Sequence, residues 1–167
     1  MRSIGLILLL ALAVAFPDGA NARAWKGVNP GVTTQAEVVE KFGEPSNRAK
    51  RGGKTVLAYY GEQALDGTKQ AQFHVDAQGV IVEITIFLTA QLDAETIEGT
   101  YGKPPQRSFV EDTFQKVWLY PQQGVTVYFG KEGNVEALTF SPGTKGAPKA
   151  QPAAAGEKDA PAAGAKR

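Results

Sequence analysis

One segment of this chain is written twice, and that doubling restricts the available folds more than any other feature. The first version reads Thr34-Gln35-Ala36-Glu37, continues with Val38, Val39 and Phe42, and closes on Gly43-Glu44-Pro45. The second reads Asp93-Ala94-Glu95-Thr96, continues with Ile97 and Tyr101, and closes on Gly102-Lys103-Pro104. Each predicts a short helix with a marked start and stop. Thr34 can cap the first helix while Glu37 reaches back, and Asp93 can cap the second and favour the positive end of its dipole. Gly43 and Gly102 stand where a left-handed C-terminal residue is wanted, and Pro45 and Pro104 forbid continuation. Helices this short are not stable alone, so Val38, Val39, Phe42, Ile97 and Tyr101 must pack on something else.

The segments after each helix alternate in the manner of strands. The first set has a polar strand near Asn47, a turn at Gly52-Gly53, then Thr55 to Tyr60, Gln70 to Val75, a turn at Asp76-Ala77-Gln78-Gly79 and Val80 to Phe87. The second has Arg107 to Val110, Lys116 to Tyr120, Gly124 to Phe129, a turn at Gly130-Lys131-Glu132-Gly133 and Val135 to Phe140. The expected fold class is α+β, with two tandem copies of a short helix followed by a three- to four-stranded antiparallel meander and the helices on one sheet face. The copies are placed at about 26–88 and 89–140, within one domain over 23–140.

Two flanks differ from that body. Residues 1–22 hold Arg2, an apolar run from Ile4 to Phe16, the breaker Pro17-Asp18-Gly19 and the small residues Ala20-Asn21-Ala22. That order predicts a cleaved export signal, and the run is shorter than the roughly 20 residues a spanning helix needs. The chain has no cysteine, so the acylated cysteine of lipoproteins is missing and a periplasmic or secreted, unlipidated protein is expected. Residues 141–167 are mostly Ala, Pro, Gly and Lys and predict a disordered tail. It carries five Lys and Arg against two acids, whereas Arg23 to Phe140 carries twelve against fourteen. Neither imbalance matches the concentrated basic face of a nucleic-acid binder.

Pro30-Gly31-Val32-Thr33-Thr34, Ala36, Val38, Phe42-Gly43-Glu44-Pro45, Tyr59-Tyr60 and Phe73-His74-Val75-Asp76-Ala77-Gln78-Gly79 together resemble the small protein A / outer membrane lipoprotein A (BamE-like) family. The doubled pattern is similar to the tandem-repeat β-lactamase inhibitor proteins. The resemblance implies a non-enzymatic, protein-binding component of the cell envelope, an outer-membrane assembly accessory or an inhibitor-like binder, whose partner is another envelope or secreted protein.

Reactive groups are sparse. His74 is the sole histidine and alternates with Gln70 and Gln72, which reads as a solvated strand position. No second His or any Cys exists to complete a typical zinc site, and Ser46 and Ser108 lie outside any nucleophile-elbow sequence. Glu111-Asp112 reads as turn chemistry, and Glu37 with Glu40 as a cap and a solvated helix face. No catalytic residue, metal or cofactor is therefore expected. Arg48, Lys50, Arg51 and Lys54 form the most basic stretch of the body and read as a charged edge hairpin or a contact for an anionic surface. If Val56, Ala58, Phe73, Val75, Val117, Leu119, Val125, Val127 and Phe129 face the helices, alternation sends Tyr59, His74, Trp118, Tyr120 and Tyr128 to the opposite face. Those five are the expected partner-binding residues, since Tyr and Trp dominate binding hot spots. The alternative expectation is a structural envelope spacer whose basic tail associates with wall polymer or anionic membrane.

Overall fold

The first helix begins where its cap demands. In the computed structural model, which describes residues 23–144, α1 spans Gln35–Phe42 and Thr34 accepts a hydrogen bond from the Glu37 amide. In return the Thr34 amide donates to the Glu37 carboxylate at 2.7 Å. Helix α2 spans Ala94–Tyr101, and Asp93 accepts from the Thr96 amide at 2.8 Å. Those amide bonds hold the carboxyls of Glu37 and Asp93 below their ordinary proton affinity. Both helices stop at glycines with positive φ, Gly43 at 80° and Gly102 at 84°.

The rest is strand. β1 (Asn47–Arg51), β2 (Lys54–Tyr60), β3 (Thr68–Val75) and β4 (Ile81–Leu88) follow α1, and β5 (Gln106–Phe109), β6 (Lys116–Tyr120), β7 (Val125–Phe129) and β8 (Val135–Phe140) follow α2. The turn between β1 and β2 has only Gly52 and Gly53 inside the Arg51–Lys54 pair, both with positive φ, which matches the right-handed twist of the strands it joins.

The expected pair of tandem helix-and-meander copies is not what forms. The strands run β1-β2-β3-β4-β8-β7-β6-β5 in one continuous eight-stranded antiparallel sheet, and the two helices are minor additions to it. The correction comes from the pairing of β4 with β8, where Ile84 meets Phe140 and Ile86 meets Leu138. Two separate meanders would leave both of these apolar strands as free edges, exposing unpaired amides and carbonyls beside uncovered side chains. Joined, they become the middle of the sheet.

Directly paired residues share a face, so register assigns each side chain. Leu57, Phe73, Ile84, Phe140, Val125 and Tyr120 form one row, and Tyr59, Ala71, Ile86, Leu138, Val127 and Trp118 the next. All twelve are buried, and Val38 of α1 and Ile97 of α2 join their cluster. The Phe42 ring of α1 lies 5.8 Å from that of Phe73, and Tyr101 of α2 lies 5.5 Å from Tyr120. Both helices therefore cover this face.

Two terminal expectations change or lie elsewhere. Ser141–Thr144, assigned above to the tail, are bound to the body: the Ser141 amide donates to the Gly124 carbonyl at 2.8 Å and the Thr144 amide to Pro121 at 2.9 Å. The expected export signal at 1–22 and the rest of the expected tail, 145–167, lie outside the described residues.

Candidate functional site on the open sheet face

The face opposite the helices carries different chemistry. Its rows are Ala58, Gln72, Thr85, Thr139, Thr126 and Leu119, then Gln70, Phe87, Ala137, Tyr128 and Val117, and at one end Val56, His74 and Glu83. Threonine suits a half-buried pleated surface and keeps a hydroxyl available. The Thr85 and Thr139 hydroxyls meet at 3.3 Å across the β4–β8 seam.

The proposed binding residues divide between the faces. His74 and Tyr128 lie on this open face. Tyr59, Trp118 and Tyr120 do not: they are 0%, 3% and 2% exposed on the helix-covered side. In β2 and β6 the register is the opposite of that expected, with Leu57 and Tyr59 inward instead of Val56 and Ala58, and Trp118 and Tyr120 inward instead of Val117 and Leu119. The reason is that the tyrosine hydroxyls find partners in the core. Tyr59 donates to the Gly43 carbonyl and Tyr120 to the Gly102 carbonyl, each at 2.9 Å. Each phenol thus ties a strand to the carbonyl that ends the helix above it, and the larger side chains fill the core at little polar cost. Trp118 lies edge-on to Phe129 at 4.7 Å, with Arg107 and Lys116 over its ring at 5.0 and 4.6 Å. Its indole Nε1 is buried without a hydrogen-bond partner.

Sequence reasoning missed most of what the open face offers. A groove of about 730 Å³ crosses β4, β8 and β7, lined by Thr85, Phe87, Tyr128, Ala137, Thr139 and, from the β5–β6 turn, Phe114. Phe87 and Tyr128 are both partners of Ala137, so the two rings stand two strands apart, about 10 Å, with a methyl group between them. Phe114 closes one side. It is 82% exposed and holds a positive φ of 52°, a conformation that costs a bulky residue energy. No local pattern announces this site, because its residues come from three strands and a turn.

His74 and Glu83 lie at the other end, their Nε2 and Oε1 atoms 3.7 Å apart. Burial lowers the proton affinity of His74; Glu83 opposes that effect, and Lys54 and Arg51 reinforce it. Burial, followed by the Glu83 charge, pushes the Tyr128 phenol up, against a Thr139 hydrogen bond that pulls it down. A histidine whose folded pKa lies below its unfolded value of about 6.5 takes up less proton folded than unfolded. Its contribution to stability is complete above that value and is lost as pH falls through the folded pKa. Thermal melts between pH 7.5 and 5.5 should therefore show stability falling toward acid, with a shallower fall in His74→Gln. Equal slopes would remove His74 as the cause.

Among the described residues no group of three or more His, Asp or Glu is placed to hold a metal ion, and no helix is long and apolar enough to cross a membrane. Glu111 and Asp112 occupy the exposed β5–β6 turn. Arg48, Lys50 and Arg51 line β1, an edge strand exposed along its whole length, and Lys54 begins β2 beside it. Arg48 pairs with Glu44 at 2.6 Å.

These features define a sheet-dominated α+β protein whose covered face is core and whose open face carries a groove. Of the solved structures, a DUF4309 family protein, YjgB, from Bacillus subtilis subsp. subtilis str. 168 is similar, with TM-score 0.55 and 15% identity over 73% of this chain and 88% of that one. At that identity the likeness concerns the fold alone. No family model and no curated protein matches the chain, so the resemblance to small protein A rests on the residues quoted for it.

Proposed function

We propose that the chain is an exported, non-enzymatic binding module of the cell envelope that holds another envelope or secreted protein on the open face of its sheet. The observation that carries this reading is the groove on a sheet face that no described element covers, where Phe87 and Tyr128 flank Ala137 among hydroxyl groups. Aromatic rings beside a small floor residue make the kind of pocket in which a partner's side chain becomes a hot spot. The exposed β1 hairpin, with Arg48, Lys50, Arg51 and Lys54, supports a peripheral contact with anionic envelope surfaces beside that partner.

The double variant Phe87→Ala and Tyr128→Ala tests the reading. Both side chains are only partly buried, so the fold should survive, as a melting curve close to the parent would show. Partners captured from the native envelope should bind more than about tenfold weaker. Capture at parental strength by the folded double variant would make this face the wrong one.

A further inference from the structure

The groove has a chemical polarity that names part of its occupant. Glu83 lines one end of it, and the ion-pair partner it has among the described residues is His74, at 3.7 Å, beyond hydrogen-bond length. The charges of Arg51 and Lys54 of the β1–β2 hairpin act on His74, and neither forms an ion pair with Glu83 among the described residues. At the far end, Glu136 already accepts from Gln115 Nε2 at 2.7 Å, while Lys116 and Lys131 stand near the same rim. Of the two carboxylates lining the groove, Glu83 is thus the one that accepts no hydrogen bond among the described residues, and the Thr85, Thr139 and Tyr128 hydroxyls beside it can all accept hydrogen bonds. Between it and the rim the rings of Phe87 and Tyr128 offer apolar surface and π-faces.

We propose that the partner presents a lysine or arginine side chain in this groove, its alkyl stem beside the Tyr128 ring and its charged head on the Glu83 carboxylate. A long cationic side chain satisfies both ends at once, burying methylenes against the rings while donating to the carboxylate. The inference rests on the binding-face reading above and adds the chemistry of the occupant.

The test is a titration of the full chain, followed by amide chemical shifts, with N-acetyl-lysine N-methylamide, its arginine counterpart and the uncharged norleucine analogue. A single-residue probe of this size should bind with a Kd on the order of millimolar. The cationic probes are expected to shift Glu83, Thr85, Tyr128 and Thr139, and the norleucine analogue to bind about tenfold weaker or less. Glu83→Gln, which keeps shape and removes charge, should bring lysine down to the norleucine level. Equal binding of norleucine and lysine, lysine binding indifferent to Glu83→Gln, or no shifts on this face with any probe would each overturn the proposal. A captured partner lost with Phe87→Ala and Tyr128→Ala but indifferent to Glu83→Gln would leave the binding face standing and remove the cation from it.

Discussion

Phe73→Ala is expected to lower the unfolding free energy by about 3–5 kcal/mol, the largest effect of any single truncation in the molecule. Phe73 is fully buried on β3 and meets three other rings: Trp25 at 6.0 Å, Phe42 at 5.8 Å and Tyr59 at 5.6 Å. These rings come from the N-terminal segment, α1 and β2, so the residue sits where three parts of the chain converge. Its neighbours are themselves held in place, Tyr59 by its bond to Gly43 and Phe42 by the helix. The site can collapse only partly around a lost ring, which is the condition under which cavity cost is highest. Chemical denaturation measures the change, and a fall in melting temperature of more than about 10 °C should accompany it. A loss below about 1 kcal/mol would mean that the contact between α1 and the sheet is not set by this ring.

Gly124→Ala should be the most damaging change outside the core, costing about 2–4 kcal/mol. Two independent causes meet there. Gly124 ends the 3₁₀ turn Pro121–Gln123 with a φ of 65°, and an added Cβ would run into the carbonyl oxygen of Ser141. That oxygen cannot easily move, because the Ser141 amide is bonded to Gly124 and Thr144 to Pro121. Gly53→Ala separates the causes: Gly53 has a φ of 75° but nothing within 4 Å of the added atom. It should lose only the conformational part, about 1–2 kcal/mol. Denaturation curves showing equal losses at the two sites would exclude the clash with Ser141.

What was legible in the sequence depended on how local its cause is. The helix limits can be read because Thr34, Glu37 and Gly43, or Asp93 and Gly102, lie within one short segment and each acts on its near neighbours. The turns at Gly52-Gly53 and Gly79 are legible for the same reason. Register in β2 and β6 was not, since Val56 and Ala58 are as apolar as an inward row requires, and so are Leu57 and Tyr59. What decides between them is a hydrogen bond from Tyr59 to a carbonyl 16 positions earlier and from Tyr120 to one 18 positions earlier. A helix-ending Gly followed by a strand Tyr at similar but unequal separations in both halves was the available signal. The β4–β8 seam left no mark, because Thr85 and Thr139 are 54 positions apart. The groove built across that seam was invisible with it, and of the expected binding residues Tyr128 and His74 lie on the open face.

That seam also sets a timetable. β8 is the final strand among the described residues, yet it lies between β4 and β7 and pairs with both. As the chain is made from its N-terminus, β4 presents an unpaired edge bearing Ile84 and Ile86 until the last strand arrives. The strands from β5 to β7 must wait for the same event before they join the first four. A chain cut short before Val135 would carry seven of eight strands and still lack the one that closes the sheet.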